Sequence, residues 1–192
     1  MSNHDPQSTI HNPQSTATPE SHQVHAAAGA KHGPLGFAVI TFSDTRTEAN
    51  DTSGQAIRDL IAAAGHHVAR YALVKDDPEQ IGSEVRAALD DATVAVVVTN
   101  GGTGIALRDN AYETITKLLD KRLDGFGELF RMLSYEQVGA AAMLSRAVGG
   151  ISRGKVVFAL PGSTKAVRLG MDALIVPQAS HLFYELHKHE QP

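Results

Sequence analysis

The chain has 192 residues, 42% apolar and 20% charged, enough for one domain with its own hydrophobic core. A formal charge of −4 argues against sequence-independent nucleic-acid binding, and the absence of cysteine excludes disulfides, thiolate zinc sites and a cysteine nucleophile. No apolar run approaches the ~20 residues of a membrane helix and the N-terminus has no apolar signal core, so a cytoplasmic protein is expected, with neither membrane nor nucleic acid among its partners.

Residues 1–33 are rich in Ser, Thr, Gln, His, Asn and Pro and poor in large apolar side chains, so they are expected to form a disordered, dispensable tail. Five of the ten histidines fall there (His4, His11, His22, His25, His32), without the fixed offsets of a metal site. The folded domain is expected over residues 34–190. Phe37 to Phe42 reads as a buried strand. Ser53 begins a helix with Ala56, Ile57, Leu60, Ile61 and Ala64 on its apolar face, stopped by Gly65. Val68 to Val74 is a second strand. Asp77-Pro78 opens a second helix, as N-cap and first-turn proline, with Ile81, Val85, Ala88 and Leu89 as its stripe.

Val94 to Thr99 is apolar on both faces, as a central parallel strand requires. A glycine loop and a helix over about 111–119 follow. Phe126 to Val148 reads as helical with interruptions, and Lys155 to Leu160 as another buried strand. Two helices, about 164–174 and 178–187, close the chain. Strands alternating with helices predict an α/β domain whose mostly parallel sheet is covered on both faces. Ligands in such folds bind at the carboxyl ends of the strands, which points to Ser43-Asp44, Gly101 to Asp109 and Pro161 to Ser163.

Asn100-Gly101-Gly102-Thr103-Gly104 is the strongest local signal. Glycines there let successive backbone N–H groups approach an anion, and a helix N-terminus follows, so the loop reads as a phosphate or nucleotide cradle. It is neither a P-loop, since the lysine is missing, nor a dinucleotide fingerprint, since position 107 is Leu107. Asp109 and Glu113 are four apart and on a helix would share a face, as carboxylates for a magnesium–nucleotide complex or as a cap and a solvated residue. Asp77 is explained as a cap, which leaves Asp76 as the better metal or acid–base candidate. Thr52 and Ser53 carry hydroxyls suited to capping or to phosphate. Arg131 and Arg146 suit bidentate phosphate contact or a subunit interface. Phe126, Leu129, Phe130, Met132, Leu133 and Tyr135 exceed what one helix stripe can bury, and such surplus marks an interface or packing over a neighbouring helix.

In order and spacing, Thr41-Phe42-Ser43-Asp44, Asp51-Thr52-Ser53-Gly54, Asn100 to Gly104, Arg108-Asp109, Gly125 to Ser134, Ala142 to Arg146 and Leu160 to Ser163 resemble the MoaB/MogA family of molybdenum cofactor biosynthesis. The gephyrin G domain and its plant counterpart belong to the same superfamily. The resemblance covers about residues 36–187. It implies a three-layer α/β/α domain with a mainly parallel sheet, and Mg²⁺-dependent transfer of AMP from ATP to molybdopterin. It implies a homotrimer or homohexamer, with the molybdate-insertion enzyme as a possible partner. Asp76 and Asp109 match the family's essential carboxylates, catalytic and metal-binding. Ser43, Asp44 and Glu113 fall among the ligand-binding positions, and Gly101, Gly102, Thr103 and Gly104 match the phosphate loop. Arg131, Ser145, Arg146, Pro161, Gly162 and Ser163 fall on the substrate side, with the last two motifs lining the pterin. Members commonly read Asp-Val-Thr-Pro-Glu-Ala where this chain has Asp109-Asn110-Ala111-Tyr112-Glu113-Thr114. A non-catalytic pterin carrier and a structural or assembly module are the alternatives on the same fold.

Overall fold

A computed structural model describes residues 33–189; the expected tail, apart from Gly33, lies outside the described residues. The chain runs β1 (Gly36–Phe42), α1 (Thr52–Ala63), β2 (His67–Val74), α2 (Pro78–Asp90), β3 (Val96–Asn100), α3 (Ala111–Leu118), β4 (Lys121–Arg122) and α4 (Asp124–Val138). A 3₁₀ segment (Gly139–Leu144), β5 (Val148–Ser152), β6 (Lys155–Leu160) and α5 (Thr164–Gly170) follow, then a π turn (Met171–Ile175) and α6 (Val176–His187).

The six-stranded sheet has the order β2-β1-β3-β6-β5-β4. Pairings from β2 through β6 are parallel, and β5 and β4 add antiparallel at one edge. Strand alternation divides the core into two. Phe37, Val39, Val96 and Val98 face α1, α4 and the helices after β6, where Ile57, Ile61, Phe130, Met171 and Ile175 are buried. Ala38, Ile40, Phe42 and Val97 face α2 and α3, where Ile81, Val85, Leu89 and Ile115 are buried. The result is the expected three-layer α/β/α domain. Every residue of β1 and β3 is buried, which explains why both are apolar except for Thr41, Thr99 and Asn100 near their carboxyl ends.

Several boundaries differ from the sequence reading. Asp51, not Ser53, caps α1, accepting from the Gly54 amide. The β3 ladder begins at Val96 rather than Val94. The segment after α4 leads into β5, a strand absent from the sequence reading, with Gly149 and Gly150 within it. They are required there: a Cβ on Gly149 would press on the Phe158 and Phe126 rings, and one on Gly150 would strike Leu119 and the Lys121 carbonyl. The closing helices are joined rather than separate. The Val176 amide donates to the Met171 carbonyl in π geometry, and Pro177, which has no N–H, follows directly in the first turn of α6.

The connection from β1 to β2 winds to one side, and the next crosses back past β1 to β3. The winding therefore reverses between β1 and β3, the switch point at which open α/β sheets form a ligand crevice.

Candidate functional site

The loops after β1, β2 and β3 converge at that switch point. Ser43, Asp44, Asp76, Gly102, Arg108 and Asp109 line one polar cavity of about 160 Å³. The Ser43 hydroxyl accepts from the Thr45 and Arg46 amides and so fixes the turn after β1. Asp44 accepts from the Asp76 amide at 3.3 Å, and Asp76 accepts from the Asn110 amide at 3.1 Å. Asp109 accepts from the Ala106 amide at 2.8 Å and closes the turn that carries it. Each carboxylate is thus held by backbone, which orients it without neutralising it.

Burial, and after it the charges of Asp109 and Asp44, push the Asp76 carboxyl above the usual carboxylate range, against the lowering effects of the Asn110 amide and Arg108. Among the described residues no trio of His, Asp or Glu is arranged to hold a metal alone. The donor set instead fits Mg²⁺ carried on a nucleotide, which takes one or two carboxylates and completes its shell with phosphate oxygens and water.

The glycine loop forms one wall. Gly101 and Gly102 have φ of +94° and +61°, which only glycine adopts freely. A Cβ on Gly101 would collide with the Phe42 carbonyl, and one on Gly102 with the Asp76 carboxylate. The Gly101 amide is spent on the Leu160 carbonyl at 3.1 Å. The amides of Gly102, Thr103 and Gly104 donate to no other group among the described residues.

Glu113 does not share a helix face with Asp109. Asn110 is the N-cap of α3, so Asp109 precedes the helix, and Glu113 turns to Arg146. Arg146 donates from Nε to the Thr103 carbonyl at 2.9 Å and from its other nitrogens to the Gly104 carbonyl and Glu113. Its guanidinium also lies 4.9 Å from the Tyr112 ring centroid. Its donors are committed to bracing the glycine loop, and its hydrogen bond holds the Glu113 carboxyl below the usual range.

Ser145, Pro161 and Ser163 line a second, smaller cavity with Ser134 and Lys165, on the far side of the β6 loop. Ser163 also caps α5 through the Ala166 amide. Gly162 joins the two sides, since a Cβ there would stand 3.1 Å from the Gly101 Cα. Arg131 is not brought to either cavity. It lines a separate polar one with Arg122, Tyr112 and Glu128.

Sequence reading missed Arg46, Thr41 and the structural use of Asn100 and Asp51. Thr41 and Asn100 are fully buried and Asp51 is 1% exposed. Polar residues at the ends of two otherwise apolar strands were the signal that could have found the first pair. Thr52 and Ser53 neither cap α1 nor face the acidic cavity; both reach Thr164, and Ser53 also donates to the Gly162 carbonyl.

Fold and site together define a three-layer α/β protein with a strand-end crevice built from a glycine loop and carboxylates, suited to a phosphorylated ligand. The pattern described as "Probable molybdopterin binding domain" matches residues 38–181. Molybdenum cofactor biosynthesis protein B of Bacillus cereus is 54% identical over 151 residues, covering 78% of this chain and 89% of that protein. A crystal structure of a molybdenum cofactor biosynthesis protein B superposes with a TM-score of 0.79 at 52% identity, covering 81% of this chain and 97% of the other. The molybdopterin biosynthesis enzyme MoaB of Thermus thermophilus superposes with a TM-score of 0.72 at 34% identity, covering 82% and 98%. The chain belongs to the MoaB/MogA family of molybdenum cofactor biosynthesis proteins.

Proposed function

We propose that this chain binds molybdopterin and ATP and transfers AMP to the pterin. A pterin phosphate oxygen attacks the α-phosphorus, a new P–O–P link forms, the bond to the β-phosphate oxygen breaks, and pyrophosphate leaves. Such a displacement needs phosphate charge neutralised and the reactants held in line more than it needs a covalent nucleophile. The observation that carries the reading is that Gly102, the first of three successive loop residues with uncommitted amides, lines the same cavity as Asp44, Asp76 and Asp109 at the switch point. Those amides would donate to phosphate oxygens. Asp76 and Asp109 would hold Mg²⁺, which supplies charge neutralisation on the phosphates. The Ser145, Pro161 and Ser163 side, abutting the glycine loop through Gly162, is the place for the pterin.

Incubation with molybdopterin, ATP and Mg²⁺ tests this by release of pyrophosphate equimolar with adenylylated pterin. Pterin binding without pyrophosphate would make the chain a carrier, and no pterin binding would make it an assembly module.

We further propose a homotrimer or a homohexamer, working in the cytoplasm and delivering product to the molybdate-insertion enzyme. In α4, Phe126 and Phe130 are buried, but Leu129, Met132, Tyr135 and Val138 are 47–63% exposed. Met143 and Leu144 extend that apolar face. A second copy of the chain is the occupant that covers it in this reading. Light scattering at low micromolar concentration should give three or six times the 20.4 kDa chain mass; a monomer mass would end the proposal.

A further inference from the structure

The carboxylate of Asp51 lines neither cavity of the site. It is 1% exposed and receives four donors. The Gly54 amide and Arg46 Nη1 donate to Oδ1 at 3.0 and 3.1 Å. The Thr41 hydroxyl and Tyr71 phenol donate to Oδ2 at 2.6 and 3.0 Å. A helix cap needs only the first of these.

Two of the four lead onward to the ligand loops. Asn100 Nδ2 donates to Thr41 Oγ1 at 2.8 Å, and Asn100 is the last residue before the glycine loop. Arg46 Nη2 donates to the Gly162 carbonyl at 2.9 Å, beside a second donor, the Ser53 hydroxyl, at 2.8 Å. The polarity of the first path is fixed by chemistry. The ionised carboxylate only accepts, so the single Thr41 proton points to Asp51, and Thr41 must then accept from the amide side of Asn100. That leaves Asn100 Oδ1 buried without a partner among the described residues. A side chain placed for stability alone would not leave a buried acceptor orphaned. One placed to set the start of the glycine loop can.

We propose that Asp51 is a positioning residue: through Thr41 and Asn100 it sets the glycine loop, and through Arg46 it sets the Pro161-Gly162-Ser163 loop, so that both are held in register for one ligand. That the two loops serve one ligand rests on the adenylyl-transfer reading; the coupling does not. Burial alone would raise the Asp51 carboxyl, but the bonds from Thr41, Gly54 and Tyr71 and the Arg46 charge hold it below the usual range, so the hub stays ionised at neutral pH.

Four variants of the full chain separate positioning from capping. Asp51→Asn keeps a good N-cap residue and removes the charge. Thr41→Val cuts only the Asn100 path, Arg46→Gln only the Gly162 path, and Tyr71→Phe removes a donor that leads to neither loop. Hydrogen exchange followed by mass spectrometry reads each loop through its hydrogen-bonded amides, Gly101 and Ala111 for the glycine loop and Ala166 and Val167 for the Pro-Gly loop, and should be on the order of tenfold faster at both sets in Asp51→Asn. It should be faster at the glycine loop alone in Thr41→Val, at the Pro-Gly loop alone in Arg46→Gln, and unchanged at both in Tyr71→Phe. Binding of Mg–ATP should weaken by about tenfold in Asp51→Asn and hold within about twofold in Tyr71→Phe. Equal exchange at both loops in Asp51→Asn and Tyr71→Phe would overturn the proposal and leave Asp51 a cap. The exchange pattern decides the matter even where ATP does not bind, a result that counts against the adenylyl-transfer reading alone.

Discussion

Asp51 and Asp76 serve the same strand ends from different surroundings. Asp51 is enclosed by four donors, one of them cationic, and its carboxyl is held low. Asp76 is half-buried, shares its cavity with two further carboxylates and has its carboxyl held high. A carboxylate satisfied on every side is spent on structure. One surrounded by like charge and left partly unsatisfied is available to a cation or a phosphate-bound metal. Tyr71 reports the same contrast from the donor side: burial, and then its bond to Asp51, push the phenol up to about 12.

The contrast is broken most severely at Asp76. Asp76→Asn and Asp109→Asn should each lower turnover by at least ~100-fold, because charge stabilisation is lost, while thermal unfolding stays at or above the wild-type temperature. Near-normal turnover in either variant would remove that residue from the mechanism. Gly102→Ala should come next. A side chain there meets both a φ of +61° and the Asp76 carboxylate, so activity and stability fall together, the latter by about 1–2 kcal/mol, as denaturant titration will read. Asp51→Asn should invert the Asp76 result, with stability down by about 1–3 kcal/mol and turnover at saturating substrate reduced far less.

The smallest effects are in pH, and they differ in sign. The folded-state pKa of Asp51 is depressed, so its contribution to stability is present above the ordinary aspartate value and is lost as pH falls through the lower folded value. Asp76 is raised, so its contribution is present below the ordinary value and is lost as pH rises through the higher folded one. Measured between about pH 3 and 7, Asp51→Asn should flatten the acid limb of the stability curve. Asp76→Asn should remove the decline that follows on raising the pH. The same raised value means that Mg–ATP binding strengthens as pH rises through it.

The parallel core was legible because β1 and β3 are apolar on both faces and α2 opens with an unambiguous Asp77-Pro78 cap. Gly149 and Gly150 hid β5, since their reason, two phenylalanine rings on one side and a neighbouring strand on the other, lies in tertiary contacts. Asp76 was legible as a site candidate because a cap already explained Asp77, and Asp109 because it is a carboxylate directly after the glycine loop. Glu113 was misjudged because a four-residue spacing implies a shared face only if both residues are helical, and Asp109 is not. The Asp51 hub was illegible for a similar reason. Its partners are Thr41, Tyr71 and Arg46, and no spacing rule joins a strand end, a mid-strand phenol and a loop arginine.

Transfer of label from ATP carrying phosphorus-32 at the α-position tests the central claim most directly. With molybdopterin and Mg²⁺, the account predicts label on the pterin in wild-type protein, its loss in Asp76→Asn, and its persistence at raised ATP concentration in Asp51→Asn. Pterin that binds but stays unlabelled in the wild-type protein would contradict it.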